Sequence, residues 1–328
     1  MDRVDVTIIG GGPVGLFGAF YAGMRGMTCR VIDSLSQLGG QLTALYPEKY
    51  VYDMPGFPKV LAKDLARMMA EQGQQFHPDV VLGETAERLE RDGDGWAVTG
   101  SSGRKFPTRT VIVSAGAGAF EPTKLGVAGE EAYVGKGLSY GVQNLVSLAG
   151  KDVIVVGGGD SAFDWALAIE PVAKSTRLVH RRDVFRAHEE TVRAVHDSNV
   201  QICLWEKVTE LHGSARLESV TVHNSQHGET KDYPCDALVV NVGYKSSLGP
   251  LEDWGMEIAN RQIKVDRLFR TSLPGVFAVG DVCDYEGKIK LIATGVGEVT
   301  TAVCEAKVML DPSAKLFPGH SSDMKLFS

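Results

Sequence analysis

At residues 178–188 the chain reads LVHRRDVFRAH. Apolar Leu178 and Val179 suit the end of a buried strand, yet His180, Arg181 and Arg182 follow at once, with Arg186 one helical turn on. Guanidinium groups gathered this way can grip a phosphate through bidentate, charge-assisted hydrogen bonds. Taken alone, a charge run is more often a solvated surface turn. The preceding residues favour the first reading. KDVIVVGGGDSAFDWALAI (151–169) reads as strand, glycine turn and helix, with Gly157, Gly159 and Ala162 in GxGxxA spacing. Asp160 and Ser161, at the start of that helix, join the candidate contacts.

The same device occurs at the N-terminus. VDVTIIG leads into Gly10-Gly11-Gly12-Pro13-Val14-Gly15 and then an apolar helical run. In GxGxxG spacing, Gly10 permits the tight turn and Gly12, beside Pro13, lets backbone N–H groups approach a pyrophosphate. Gly15 allows helix and strand to pack closely, and the helix N-terminus adds positive potential. TCRVID then ends in Asp33, an acid placed to accept hydrogen bonds from ribose hydroxyls. Gly10 to Asp33 is 23 residues, and 23 residues beyond Gly157 is His180, so the cationic run stands where the first copy has its acid. A carboxylate there would repel a 2′-phosphate and arginines would bind it. The acid-ended site suits FAD and the arginine-ended site NADPH, a pairing expected of a flavoprotein oxidoreductase.

The elements that must position these turns follow from the rest of the chain. A length of 328 residues suggests two domains. A net charge of −7 argues against nucleic acid as a general partner. Five cysteines (29, 203, 235, 283 and 304) without a CxxC pair argue against a disulfide scaffold, a zinc site or a redox dithiol. Residues 6–24 carry no charge, but three glycines and Pro13 divide them into a strand and a helix rather than a membrane span. No signal peptide is read, and the expected home is the cytoplasm.

The second device lies inside the first domain's sequence. TRTVIVSAGAGAF (108–120) reads as a strand and an outgoing crossover, and DALVVNVGYKSSLGP (236–250) as a strand and the return. This predicts an α/β protein with two Rossmann-like domains, the NADPH domain (119–248) inserted in a discontinuous FAD domain (1–118 and 249–310), with a tail over 311–328. GVFAVGDV (275–282) reads as a strand ending at Asp281, with a helix from about Gly297. That helix would point its N-terminal dipole at a flavin whose ribityl hydroxyls Asp281 binds.

Gly10–Gly15, Gly39-Gly40-Gln41-Leu42, Gly157–Ala162, HRRDVFRA at 180–187 and FAVGD at 277–281 together resemble the thioredoxin-reductase fold, in order and over nearly the whole chain. That fold usually forms homodimers. The chain departs from thioredoxin reductases at Gly137–Asn144, GLSYGVQN, where the family's Cys-x-x-Cys is missing. Without two thiols, electrons cannot pass to a disulfide by exchange. QLGGQL, ALYPEKY and the GHSS tail are similar to the ferredoxin/flavodoxin–NADP⁺ reductase branch. The resemblance implies that Tyr46 stacks on one flavin face and that His320, from the partner subunit's tail, covers the other. It further implies flavin contacts at Asp33, Gln41, Ala86, Phe120, Asp281 and Ser322. By residue type alone, Tyr46 is a packing tyrosine and His320 a surface histidine. The implied activity passes hydride from NADPH to FAD and single electrons on to a ferredoxin or flavodoxin. The alternatives are a quinone or other diffusible-acceptor reductase and a non-catalytic NADPH sensor. Docking an acidic carrier would need a basic patch, for which Arg104, Lys105, Arg109 and Lys124, or Lys288 and Lys290, are candidates.

Overall fold

The run Val4–Ile9 (β1) is almost wholly buried, with Val4, Val6 and Ile8 on one face and Asp5, Thr7 and Ile9 on the other, as befits the centre of a parallel sheet. It leads through the glycine turn into Pro13–Met24 (α1), and Cys29–Asp33 (β2) returns parallel to β1, with Val6 opposite Cys29. Ala62–Gly73 (α2) buries Leu65, Ala66 and Met69 at helical spacing, and Asp79–Leu82 (β3) extends the sheet beyond β2. Ala86–Asp92 (β4) and Gly95–Gly100 (β5) form an antiparallel hairpin, followed by Lys105–Val113 (β6). The order is β3-β2-β1-β6-β5-β4. The computed structural model describes residues 2–116 and 118–320, leaving aside the side chains of residues 119–121, 245 and 246.

The chain then leaves through Ala119–Pro122 and builds a second sheet. Its strands are Leu138–Ser139 (β7), Asp152–Val156 (β8), Ser175–His180 (β9), Gln201–Leu204 (β10) and, after an antiparallel excursion, Ala237–Val240. Helices Asp160–Ile169 (α3) and Glu189–His196 (α4) follow β8 and β9. The excursion comprises Glu206–His212 (β11), Ser219–Asn224 (β12) and Glu229–Pro234 (β13). With Ala237–Val240 as β14, the parallel order is β7-β14-β8-β9-β10. The outgoing stretch Ala119–Pro122 pairs with the returning stretch Tyr244–Ser247.

On its return the chain places Val276–Ala278 (β15) parallel to β6, with Val276 opposite Val111. The last helix, α5, spans Ile292–Leu310. The sequence predicted its start near Gly297, leaving Gly295 outside it. The structure runs α-helix through both, and Gly295 has a packing reason. A Cβ there would fall 2.5 Å from Val14 Cγ2, so glycine lets α5 approach the first turn of α1. In the same way Gly18 faces Val299, at 2.6 Å from Cγ2. Each side chain of this core, such as Ile8, Leu16 or Val299, stabilises the fold by about 1.5–3 kcal/mol on burial.

By packing, the chain divides into two units. One takes the N-terminus to Ala44, Lys49–Ala119 and Ser246 onward, and the other takes Leu45–Glu48 and Phe120–Lys245. The sequence had no signal that Leu45–Glu48 would group with the inserted residues. Among the described residues no helix is long and apolar enough to cross a membrane, and residues 6–24 divide into β1 and α1.

Candidate functional site

In the flanking unit the first glycine turn is held at the carboxyl end of β1. Gly10 has φ +107°, and a Cβ on it would lie 2.5 Å from Ser114 O. Ser114 Oγ donates to the carbonyls of Ile9 (3.1 Å) and Gly10 (3.0 Å), locking the turn to the end of β6. Gly15 is required by contact: its Cβ would fall 1.9 Å from Gly10 O. Gly12 is different. An added Cβ would meet nothing nearer than Gly40 Cα at 3.8 Å, and no side chain caps the N-terminus of α1, which begins with Pro13. Open space above uncapped first-turn N–H groups fits a pyrophosphate.

Asp33 is buried at the end of β2. Its Oδ2 accepts from Gly11 N at 2.5 Å and its Oδ1 from Leu35 N at 2.8 Å. Burial raises its pKa, against the lowering effect of those two bonds. A carboxylate offers about four lone-pair sites, so two remain for ribose hydroxyls. The GGQL stretch closes over the same turn: Gly39 N donates to Gly11 O at 2.9 Å, and Gln41 opens the short helix Gln41–Ala44. A Cβ on Gly116 would lie 3.2 Å from Gln41 Nε2, which places that amide at the carboxyl end of β6. Glu84 N donates to Asp33 O at 3.0 Å, bringing buried Ala86 close behind the acid.

Asp281 sits on a 3-10 turn, Gly280–Val282, just past β15. Among the described residues its half-buried carboxylate has no hydrogen-bond partner, which fits a group meant for a ligand's hydroxyls. Burial raises its pKa, Lys288 and Lys290 draw it down, and Glu298 raises it. Sequence reasoning missed Glu298. Its side chain is 3% exposed and pairs with Lys288, 5% exposed, beneath this turn. Glu298 Oε2 accepts from Gly280 N at 2.6 Å, and Oε1 accepts from Tyr285 Oη at 2.7 Å. On a helix as glycine- and alanine-rich as α5, one glutamate carries no signal of burial.

In the inserted unit the second turn repeats the first with different edges. A Cβ on Gly157 (φ +156°) would meet Asn241 O at 2.3 Å, whereas one on Gly159 meets nothing within 4 Å, and α3 has no side-chain cap. The cationic run folds back onto this turn. Arg186 N donates to Gly158 O at 2.7 Å, and His188 N donates to Asp160 Oδ1 at 2.8 Å. The His180 ring lies against Gly158, where a Cβ would fall 2.2 Å from Cε1, so Gly158 is a second residue the sequence reading missed. His180 Nε2 is 3.2 Å from Val184 O, and its ring packs on Phe185 at 5.5 Å. Burial lowers the His180 pKa, as do Arg181 and Arg182, while the Val184 carbonyl opposes them. Arg181, Arg182, Arg186, Asp160 and Ser161 are exposed, and among the described residues none of the three arginines has a carboxylate partner. Three unpaired guanidinium groups beside an open turn fit the 2′-phosphate of NADP(H).

The remaining expected residues are placed as follows. Tyr46, expected on a flavin face, packs here against the cluster that includes Val142, Leu148 and Phe163 in the inserted unit. His320 is exposed, its ring 5.4 Å from Phe317 in an edge-on pair. Phe120 lies on the strand Ala119–Pro122 with its side chain outside the described residues, and Ser322 lies outside them altogether. The basic patch does not hold for Lys288, whose amine is buried on Glu298. Lys105 pairs with Glu90 at 3.0 Å, Arg109 with Asp5 at 3.1 Å, and Lys124 with Glu131. All five cysteines are free, and burial pushes the thiols of Cys29, Cys235 and Cys283 up to about 12 and that of Cys203 to about 11. At Gly141–Asn144 the chain makes an irregular bend, and Asn144 Oδ1 accepts from Val146 N at 2.9 Å.

The pyridine nucleotide-disulphide oxidoreductase family model matches residues 4–306. The chain is 50% identical over 324 residues to ferredoxin–NADP reductase 2 of Shouchella clausii, covering 98% of each. It is 47% identical over 324 residues to ferredoxin–NADP reductase of Halalkalibacterium halodurans, again covering 98% of each. Among solved structures it is similar to the thioredoxin reductase of T. acidophilum, with a TM-score of 0.79 and 26% identity, covering 94% of this chain and 99% of that one. The Lactococcus lactis thioredoxin reductase gives a TM-score of 0.77 at 27% identity, covering 93% and 98%. The chain therefore has the thioredoxin-reductase-like fold and belongs to the pyridine nucleotide-disulphide oxidoreductase family, within the group of ferredoxin–NADP reductases it matches from end to end.

Proposed function

We propose that this chain is an FAD-dependent oxidoreductase that passes electrons between NADP(H) and a ferredoxin or flavodoxin. The observation that carries the reading is the contrast between the two strand ends: a buried acid at Asp33, and unpaired Arg181, Arg182 and Arg186 beside the second turn. Its full-length likeness to reductases named for ferredoxin supports the carrier, and the missing dithiol at Gly137–Asn144 argues against the thioredoxin route.

In this reading residues 1–118 and 249–310 hold FAD. Gly10 and Gly15 shape the turn on which Gly12 and Pro13 face its pyrophosphate, with Asp33 at its ribose, Asp281 at its ribityl chain, and Gln41, Ala86 and Phe120 in its surroundings. Residues 119–248 hold NADP(H): Gly157, Gly159, Asp160 and Ser161 at the pyrophosphate, and His180, Arg181, Arg182 and Arg186 at the 2′-phosphate. A bound flavin supplies the chemistry, taking two electrons from a reduced nicotinamide and releasing them singly. The chain binds, orients and excludes water, so no acid–base residue is assigned. Tyr46 stacks on the flavin, and the tail 311–328, with His320 and Ser322, covers it from the partner subunit of a cytoplasmic homodimer.

The test is anaerobic stopped-flow with the flavin-loaded protein. NADPH should bleach the flavin much faster than NADH, and oxidised ferredoxin should restore its colour where oxidised thioredoxin does not. Equal reoxidation by every acceptor would point to a diffusible-acceptor reductase, and bleaching without turnover to a sensor. A preference for NADH would overturn the assignment of the arginines.

A further inference from the structure

The Lys288–Glu298 pair is deeply buried, its two side chains 5% and 3% exposed. It lies under the turn that ends in Asp281. Three N–H and O–H donors converge on one carboxylate, Gly280 N at 2.6 Å, Tyr285 Oη at 2.7 Å and Lys288 Nζ at 2.5 Å, with Cys283 Sγ also 3.8 Å from Oε2. Cys283 Sγ lies on the same side, donating to Gly280 O at 3.2 Å. Gly280 has φ +75°, and a Cβ there would sit 3.6 Å from Val14 Cγ2, so the turn also abuts the first residues of α1. A hydrophobic pair of similar volume would serve packing as well or better, because desolvating two charges often offsets their attraction. A charge pair kept here needs a reason that packing does not supply.

We propose that Lys288 and Glu298, with Tyr285, form a positioning unit that fixes the Gly280–Asp281 turn and balances the charge felt by the flavin bound at it. The inference rests on the reading of Asp281 as a flavin contact. Glu298 holds the turn directly, through Gly280 N. Both charges reach Asp281, Lys288 favouring its ionised form and Glu298 opposing it. In a low-dielectric interior an unbalanced charge acts over a longer range than in water. A flavin becomes more electron-rich on reduction, so an unopposed cation makes reduction easier and an unopposed anion makes it harder.

Two single variants separate this role from a merely structural one. In Glu298→Gln one acceptor oxygen must serve three donors, the new amide N–H groups face donors, and the cluster gains one net positive charge, with Asp281 the carboxylate left near Lys288. In Lys288→Met the carboxylate is left unopposed. Both should weaken FAD binding, by at least about tenfold as read by flavin fluorescence, since each leaves a buried charge without its partner. The flavin midpoint potential of the loaded proteins should move in opposite directions, upward in Glu298→Gln and downward in Lys288→Met. Shifts of the same sign, or native potentials in both, would overturn the proposal even if FAD binding weakens. Should either variant fail to fold, Tyr285→Phe, which removes one donor from the carboxylate, should lower the potential slightly; a native potential there counts against the unit. Asp281→Ala identifies which layer fails. If it keeps native FAD affinity, the turn does not hold the flavin. If it releases FAD while the paired variants keep native potentials, only the role of the pair is lost.

Discussion

At Gly15 an added Cβ would fall 1.9 Å from a backbone oxygen, and at Gly157 it would fall 2.3 Å from one; at Gly12 the nearest atom is 3.8 Å away, and at Gly159 nothing lies within 4 Å. Each turn thus has glycines that the fold needs, Gly10 and Gly15 in the first and Gly157 and Gly158 in the second, and one that the fold does not use. The two turns part company at the next strand end. Asp33 is buried and takes two backbone N–H bonds, so its orientation is set before any ligand arrives. Arg181, Arg182 and Arg186 are exposed, and only their backbone is anchored, through Arg186 N and the His180 ring on Gly158. One repeated device can therefore hold two nucleotides because the backbone cradle is shared while the discriminating groups are separate.

The largest effect expected from breaking this comparison is Gly15→Ala, where the new methyl group meets backbone on a fixed turn. It should cost about 3 kcal/mol or more, read as a lower melting temperature and loss of bound flavin. Gly12→Ala should fold with nearly native stability yet bind FAD at least about tenfold more weakly, because one close backbone approach is lost. Gly159→Ala should do the same to NADPH and leave FAD in place. Next, Arg181→Ala and Arg182→Ala should each raise the Km for NADPH by about ten- to a hundredfold, as a charged hydrogen bond is worth about 1.5–3 kcal/mol. Reduction by NADH should hardly change, and an equal loss with both nucleotides would mean that the arginines do not read the 2′-phosphate.

A smaller effect follows from exposure. Surface charges are screened over about 8 Å at physiological salt, so raising the salt should weaken NADPH binding, measured by titration, and leave the retention of FAD on buried Asp33 almost unchanged. The smallest concerns pH. The folded pKa of His180 lies below its ordinary value of 6.5, so the unfolded chain binds more protons between the two values and stability rises with pH there. The contribution of the neutral ring is present above about 6.5 and is lost as the pH falls through the folded value. Thermal melts between pH 7 and 5 should show a shallower loss in His180→Gln than in the native chain.

The glycine turns, Asp33 and the arginine run could be read from the chain because each is local. Strand, turn and helix lie within about thirty residues, and the spacing itself carries the mechanism. Helix α5 was misplaced for the opposite reason. Gly295 lies ahead of the predicted start, and its place in the helix shows only when Val14, from the other end of the chain, is found against it. Lys288 shows the same limit in charge: it reads as a surface cation, and only the folding of Tyr285–Lys288 over Glu298 buries it. Tyr46 is similar, a packing tyrosine by type whose cluster comes from residues about a hundred positions later.

From its residues alone this chain specified two strand–glycine-turn–helix units, the opposite charge at the strand ends that follow them, and the lack of a CxxC pair, since local spacing and composition carry all three. Burial belongs to the folded chain. Which glycines touch backbone, which lysine loses its water, and which acid lies beneath the Asp281 turn depend on segments far apart in sequence meeting in space, and no pattern along the chain encodes those meetings.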